Sequence, residues 1–163
     1  IIQAVGRAIR KAPDKKVGTI VVPVFVRKEA DAQQALDDSS FRHVWDVLKA
    51  AFDSLSIPVS SLDPATHTMG NSALRVRRRL GDVSVSKYIN CGNTQSANAA
   101  DGYEILLSVT ARVQPTIAAM SELAISVDAQ VRPITLSSEY TRCTSTGLIE
   151  SRLAQLVTAQ LNR

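Results

Sequence analysis

Two stretches decide the fold: YEILLSVTARV, residues 103–113, and LAISVDAQV, residues 123–131. In the first, Tyr103, Ile105, Leu107, Val109, Ala111 and Val113 alternate with Glu104, Ser108, Thr110 and Arg112. In the second, Leu123, Ile125, Val127, Ala129 and Val131 alternate with Ser126, Asp128 and Gln130, and Arg132 continues the polar set. Successive side chains of a strand point to opposite faces, so each stretch predicts a strand with one dry and one wet face. A half-wetted sheet is the signature of antiparallel pairing.

Working outward, Thr144-Ser145-Thr146-Gly147 predicts the start of a helix from about Leu148 to Leu161, with Ile149, Leu153, Leu156, Val157 and Gln160 along one side. Upstream, Asn90 to Gly102 reads as a loop. Leu74, Val76 and Leu80 share one strand face, Arg75, Arg77 and Arg79 the opposite one, and Arg78 falls on the apolar side. Short strands are expected at Pro58–Leu62 and Thr66–Met69 around an Asp63-Pro64 turn. Phe41, Val44, Trp45, Leu48, Phe52 and Leu55 recur at helical spacing, with Asp38, Ser39 or Ser40 able to cap the helix. The expectation is an α+β fold, with an antiparallel sheet of about four to five strands packed on two amphipathic helices.

Residues 1–40 read differently. Ile2, Val5 and Ile9 form a helical stripe that must stop before Pro13. Val17 to Val26 is almost continuously apolar, as in a strand covered on both faces within a parallel α/β sheet. Pro23 places that strand at an edge or a ladder break. Two subregions follow, 1–40 and 41–163.

The 163 residues carry a net charge of +4 and are 45% apolar, ordinary for a globular protein. No run of 18 apolar residues exists, so no membrane-spanning helix is expected. The beginning, Ile1-Ile2-Gln3, has neither an initiator Met nor a signal peptide and reads as the cut end of a longer chain. The positive charge is clustered in Ile1–Lys28 and in RVRRR, residues 75–79. The latter arginines suit phosphates of DNA or RNA, or else a charged strand that discourages edge pairing. Cys91 and Cys143 can pair, or remain two buried thiols. No metal site is expected: there is no CxxC, and His43 and His67 have no ligand cluster beside them in the sequence. No G-x-S-x-G elbow marks a nucleophile.

Residues 3–10, QAVGRAIR, have the pattern Q-x-x-G-R-x-x-R, with two fixed cations three residues apart on one helix face. With the following KKVGTIVVPVF and the later SSFRHVWDVLKA, the segment from Ile1 to about Lys49 resembles motif VI and the core strand of the second RecA-like domain of superfamily 2 helicases, in their bacterial DEAD/DEAH-type branch. The resemblance implies that Arg7 and Arg10 are catalytic contacts to nucleotide phosphates and that Gln3 couples the nucleotide to other motifs, with Gly6 allowing close approach. It also implies ATP and Mg as cofactors of a parent protein, DNA or RNA as its substrate, a missing RecA-like domain as partner, and a cytoplasmic location. The chain contains neither G-x-x-x-x-G-K-[ST] nor D-E-x-[DH], so no turnover is expected of it alone.

The remainder, 57–163, resembles small α+β domains of bacterial envelope proteins, similar to the helix-grip domains of an outer-membrane assembly lipoprotein. The cues are LSIPV, SLDPATHTMGNSALRVRRRL, INCGNT and CTSTGLIESRL. This resemblance implies a non-enzymatic interaction or structural role in the periplasm or cell envelope, with the first 40 residues as a passenger. It also implies a Cys91–Cys143 bridge tying the INCG turn to the last helix.

Overall fold

A computed structural model describes residues 18–25, 39–94, 97–115, 120–132 and 139–161, without the side chains of 18–25, 39–42, 115, 120 and 121. In chain order the elements are strand β1 (Gly18–Phe25), helix α1 (Ser39–Ser54), β2 (Ser61–Asp63), β3 (Thr68–Arg77), β4 (Arg79–Leu80) and β5 (Val83–Ser84). A single 3-10 turn (Val85–Lys87) leads to β6 (Ile89–Asn90) and to the short α2 (Ala99–Gly102). The chain then runs through β7 (Glu104–Pro115), β8 (Met120–Arg132), β9 (Thr141–Ser145) and α3 (Leu148–Leu161).

Every pairing between these strands is antiparallel, as the alternation of the two central stretches requires. β7 and β8 form one long hairpin from Glu104↔Arg132 to Pro115↔Ser121. Ile105, Leu107, Val109, Ala111 and Val113 are buried, as are the five alternating apolar residues of β8. α1 and α3 bury their apolar sides in the same core: Val44, Leu48 and Phe52 from one, Ile149, Leu153 and Val157 from the other.

The amphipathic faces are rotated slightly from those expected. Val47 and Ala51 are buried in α1, whereas Trp45 is half-buried. In α3 the buried line runs through Leu153, Ala154 and Val157, and Leu156 is only partly covered. The helix starts on Gly147, whose positive φ of 84° suits glycine and whose carbonyl accepts the first helical bond from Ser151 N–H at 3.0 Å. Thr146 instead donates its hydroxyl to the carbonyls of Lys87 and Tyr88, pinning the helix start to the 3-10 turn.

β1 departs from expectation in direction. Its apolar sequence suggested a parallel sheet, but it pairs antiparallel with β8, from Gly18↔Val127 to Phe25↔Met120. It shares that edge of β8 with β9, which takes Ala129, Gln130 and Val131. Among the described residues β1 pairs with no other strand, so Pro23 lies on a strand with an unpaired edge, one of the two positions its sequence allows. A continuous apolar run therefore does not by itself fix strand direction.

β3 also differs. The sequence pattern separates Thr66–Met69 from the arginine strand, yet Thr68 to Arg77 is one strand interrupted by a bulge between Asn71 and Leu74. Met69 is at an odd position and Val76 at an even one, so an unbroken strand would place them on opposite faces. The extra residue restores both to the core. Asn71, buried at the bulge, is satisfied locally: its amide donates to Pro58 O at 2.8 Å and its oxygen accepts from Ala73 N–H at 3.0 Å.

At Gly70 the neighbouring backbone comes so close that an added Cβ would collide with Val109 O and lie 2.8 Å from Thr110 Cα. Gly70→Ala must push two central strands apart. The expected loss is at the upper end of the roughly 1–3 kcal/mol typical of overpacking, read as a lowered urea midpoint. An unchanged midpoint would show that the ladder is looser there than described.

Candidate functional site

The sheet face turned away from the helices carries the polar residues of β3, β7, β8 and β9. Two cross-strand rows at one end concentrate charge. In the first, Arg77 faces Glu104, which faces Arg132. In the second, Arg75 faces Leu106, then Gln130, then Arg142. Arg132 and Arg142 come from the far side of the sheet, so four arginines gather where RVRRR alone suggested a linear run.

Arg77 donates from Nε (3.3 Å) and Nη2 (3.0 Å) to one oxygen of Glu104, and its own side chain is 64% exposed. The other Glu104 oxygen makes no hydrogen bond and faces Arg132 Nη2 at 4.0 Å. Arg142 Nη2 lies 3.7 Å from Asp128 Oδ2. The Arg132 guanidinium also sits over the Tyr140 ring, 5.5 Å from its centroid. Arg75 is exposed and adds its charge to the field at Glu104.

The Arg77 hydrogen bonds hold the Glu104 carboxyl below the usual carboxylate range. Partial burial opposes them, and the charges of Arg77, Arg75 and Arg132 reinforce them. A depressed carboxyl contributes stability that is complete above its unfolded pKa and is lost as pH falls through its folded value. Glu104→Gln should therefore flatten part of the acid limb of a stability–pH curve. An identical limb in wild type and variant would contradict the Arg77–Glu104 contact.

Arg79 does not continue this row. The chain reverses at Arg78, which has φ of 61°, so that Arg79 pairs back onto Arg77 and donates to Asp82 O at 2.6 Å. The expected single face of Arg75, Arg77 and Arg79 is thus corrected to Arg75 and Arg77 on β3, with Arg79 in the adjoining hairpin. β4 and β5 around Gly81-Asp82 leave no signal in the sequence because two-residue strands carry no periodicity. Arg132 was legible as the last outward residue of β8. Arg142 had no comparable signal.

A second feature is covalent. Ile89 pairs with Ser145 and Asn90 with Thr144, and one step further along the same register Cys91 and Cys143 form a disulfide with Cα atoms 4.5 Å apart. That separation matches a non-hydrogen-bonded antiparallel pair and lies within disulfide reach. The bridge joins the INCG turn to β9 rather than to the last helix itself.

The motif residues Gln3, Gly6, Arg7 and Arg10 lie outside the described residues. Among the described residues no group of three or more His, Cys, Asp and Glu side chains could hold a metal ion, and no helix is long and apolar enough to cross a membrane. No protein-family model matches this chain, and no match was found among curated proteins or solved structures.

Proposed function

We propose that this chain is a non-enzymatic interaction module working in an oxidising compartment, the periplasm or cell envelope. The observation that carries the reading is the Cys91–Cys143 bridge. Disulfides persist where thiols are not continually reduced, and this one closes a loop of 52 residues between two otherwise weakly tied short strands. The sheet face turned away from the two long helices adds a surface of fixed guanidinium donors, a chemistry of holding rather than of bond making.

The test is to produce the full chain twice, exported to a bacterial periplasm and retained in a reducing cytosol. The exported protein should carry no free thiol and melt higher. Two free thiols in the exported protein, or identical melting of both, would overturn the reading.

A second reading rests on the QAVGRAIR pattern alone, since the apolar strand that follows it pairs antiparallel with β8 and not within a parallel sheet. In it the chain is a fragment of a nucleic-acid-dependent ATPase. Gln3, Gly6, Arg7 and Arg10 would form one wall of an ATP and Mg site completed by a RecA-like domain of a longer parent, which acts on DNA or RNA in the cytoplasm. No catalytic step is assigned to the chain. On this reading the chain alone does not hydrolyse ATP; DNA-stimulated hydrolysis that appears only when a RecA-like domain is supplied, and that Arg7→Ala abolishes, would make it the leading one.

A further inference from the structure

We infer that the arginine end of the sheet face turned away from the two long helices is a docking surface for an extended acidic polypeptide segment. The inference rests on the interaction-module reading and names the partner's chemistry.

Charge complementarity is the first argument. Arg75, Arg77, Arg132 and Arg142 stand against two carboxylates on this face, Glu104 and Asp128, with Glu139 at its margin beside Tyr140, so positive charge is in excess at this end of the sheet. The two internal carboxylates do not saturate the four planar forks. Arg75 is exposed, Arg142 is 59% exposed, and Arg142 approaches its carboxylate only at 3.7 Å. Guanidinium groups bind carboxylates through paired N–H donors, and the Arg77–Glu104 contact already shows this face gripping a carboxylate with two of them.

Spacing is the second argument. Arg75 and Arg77 are two residues apart on one strand, which separates their Cα atoms by about 6.6 Å. An extended peptide repeats its side chains on one face at the same interval, so alternate Asp or Glu residues meet both arginines in register. Arg142 stands three strands from Arg75, about 14 Å away.

Composition between the charges favours polypeptide over nucleic acid. Half-buried Leu106 and the amide of Gln130 lie between Arg75 and Arg142, offering apolar and neutral polar contact. The nearby Tyr140 ring is already covered by Arg132 and cannot act as a base-stacking platform without giving up that contact.

The test uses fluorescence anisotropy with the full chain and a labelled twelve-residue peptide bearing Glu at alternate positions. The expected result is salt-sensitive binding, weakened at least tenfold by Arg75→Glu with Arg142→Glu. Arg112→Glu, at the opposite end of the same face, should leave it within twofold. Circular dichroism confirms that each variant is folded. Binding unchanged in the double variant would overturn the inference, as would tighter binding of a single-stranded oligonucleotide or of vesicles containing phosphatidylglycerol. Free-thiol content measured on the same samples reports separately on the compartment reading. An oxidised protein that ignores the peptide refutes only the docking surface, and a reduced one that binds it refutes only the compartment.

Discussion

Replacing Cys91 and Cys143 together by serine should lower the free energy of unfolding by about 4 kcal/mol, within the usual 2–5 kcal/mol for a native disulfide. The magnitude follows from the loop that the bridge closes, 52 residues in sequence. Cutting it frees that loop in the unfolded chain, while the native partners remain in place. The folded side is also exposed to the loss. β6 has only two residues, both paired with β9, and β9 contacts β8 through only three register positions. Without the covalent link, the junction between β9 and α3 is tied to the 3-10 turn by Thr146, through its N–H (2.8 Å) and hydroxyl (2.9 Å) to Tyr88 O and its hydroxyl to Lys87 O (2.7 Å), and by Arg152 Nη1 to the Tyr88 hydroxyl (2.9 Å). Reduction of the wild type should reproduce the loss. Denaturant melts of the oxidised, reduced and double-serine proteins check it, and coincidence of all three would refute a structural role for the bridge.

The second large effect is expected at Phe52. Its side chain is fully buried on α1, in the shared core of both helices and the sheet. Its carbonyl also receives the N–H groups of Leu55 and Ile57, which end the helix and turn the chain toward β2. Phe52→Ala removes a ring from a closed core and leaves a cavity, so a loss of about 3–5 kcal/mol is expected. The backbone bonds of residue 52 survive the substitution, so the loss reports on packing alone. Leu156→Ala, on the partly covered side of α3, should cost less than Phe52→Ala. Equal losses at the two sites in urea melts would mean that the core is not centred where the structure puts it.

What the sequence disclosed depended on how much pattern each element carries. β7 and β8 are 12 and 13 residues long with period-two alternation, and both their faces and their antiparallel pairing were legible. The two long helices were legible too, although the exact buried line was off by part of a turn because Trp45 and Leu156 look at least as apolar as Val47 and Ala154, which are the residues buried. β3 was only half legible, since its bulge breaks the period that identifies a strand. β4, β5, β6 and β9 are too short to show a period, and their places come from tertiary pairing. The arginine face follows the same logic. Arg75 and Arg77 were visible as a run, but the arrival of Arg132 and Arg142 depended on which strands become neighbours. Whether Cys91 and Cys143 meet was likewise decided by the β6–β9 register, which no local pattern encodes.

The most direct measurement is intact mass after alkylation of the denatured, unreduced chain, with and without prior reduction. The account predicts no added alkyl group before reduction and two after it. Two alkyl groups on the unreduced protein would mean that Cys91 and Cys143 are free thiols, and the oxidising-compartment account would fall with them.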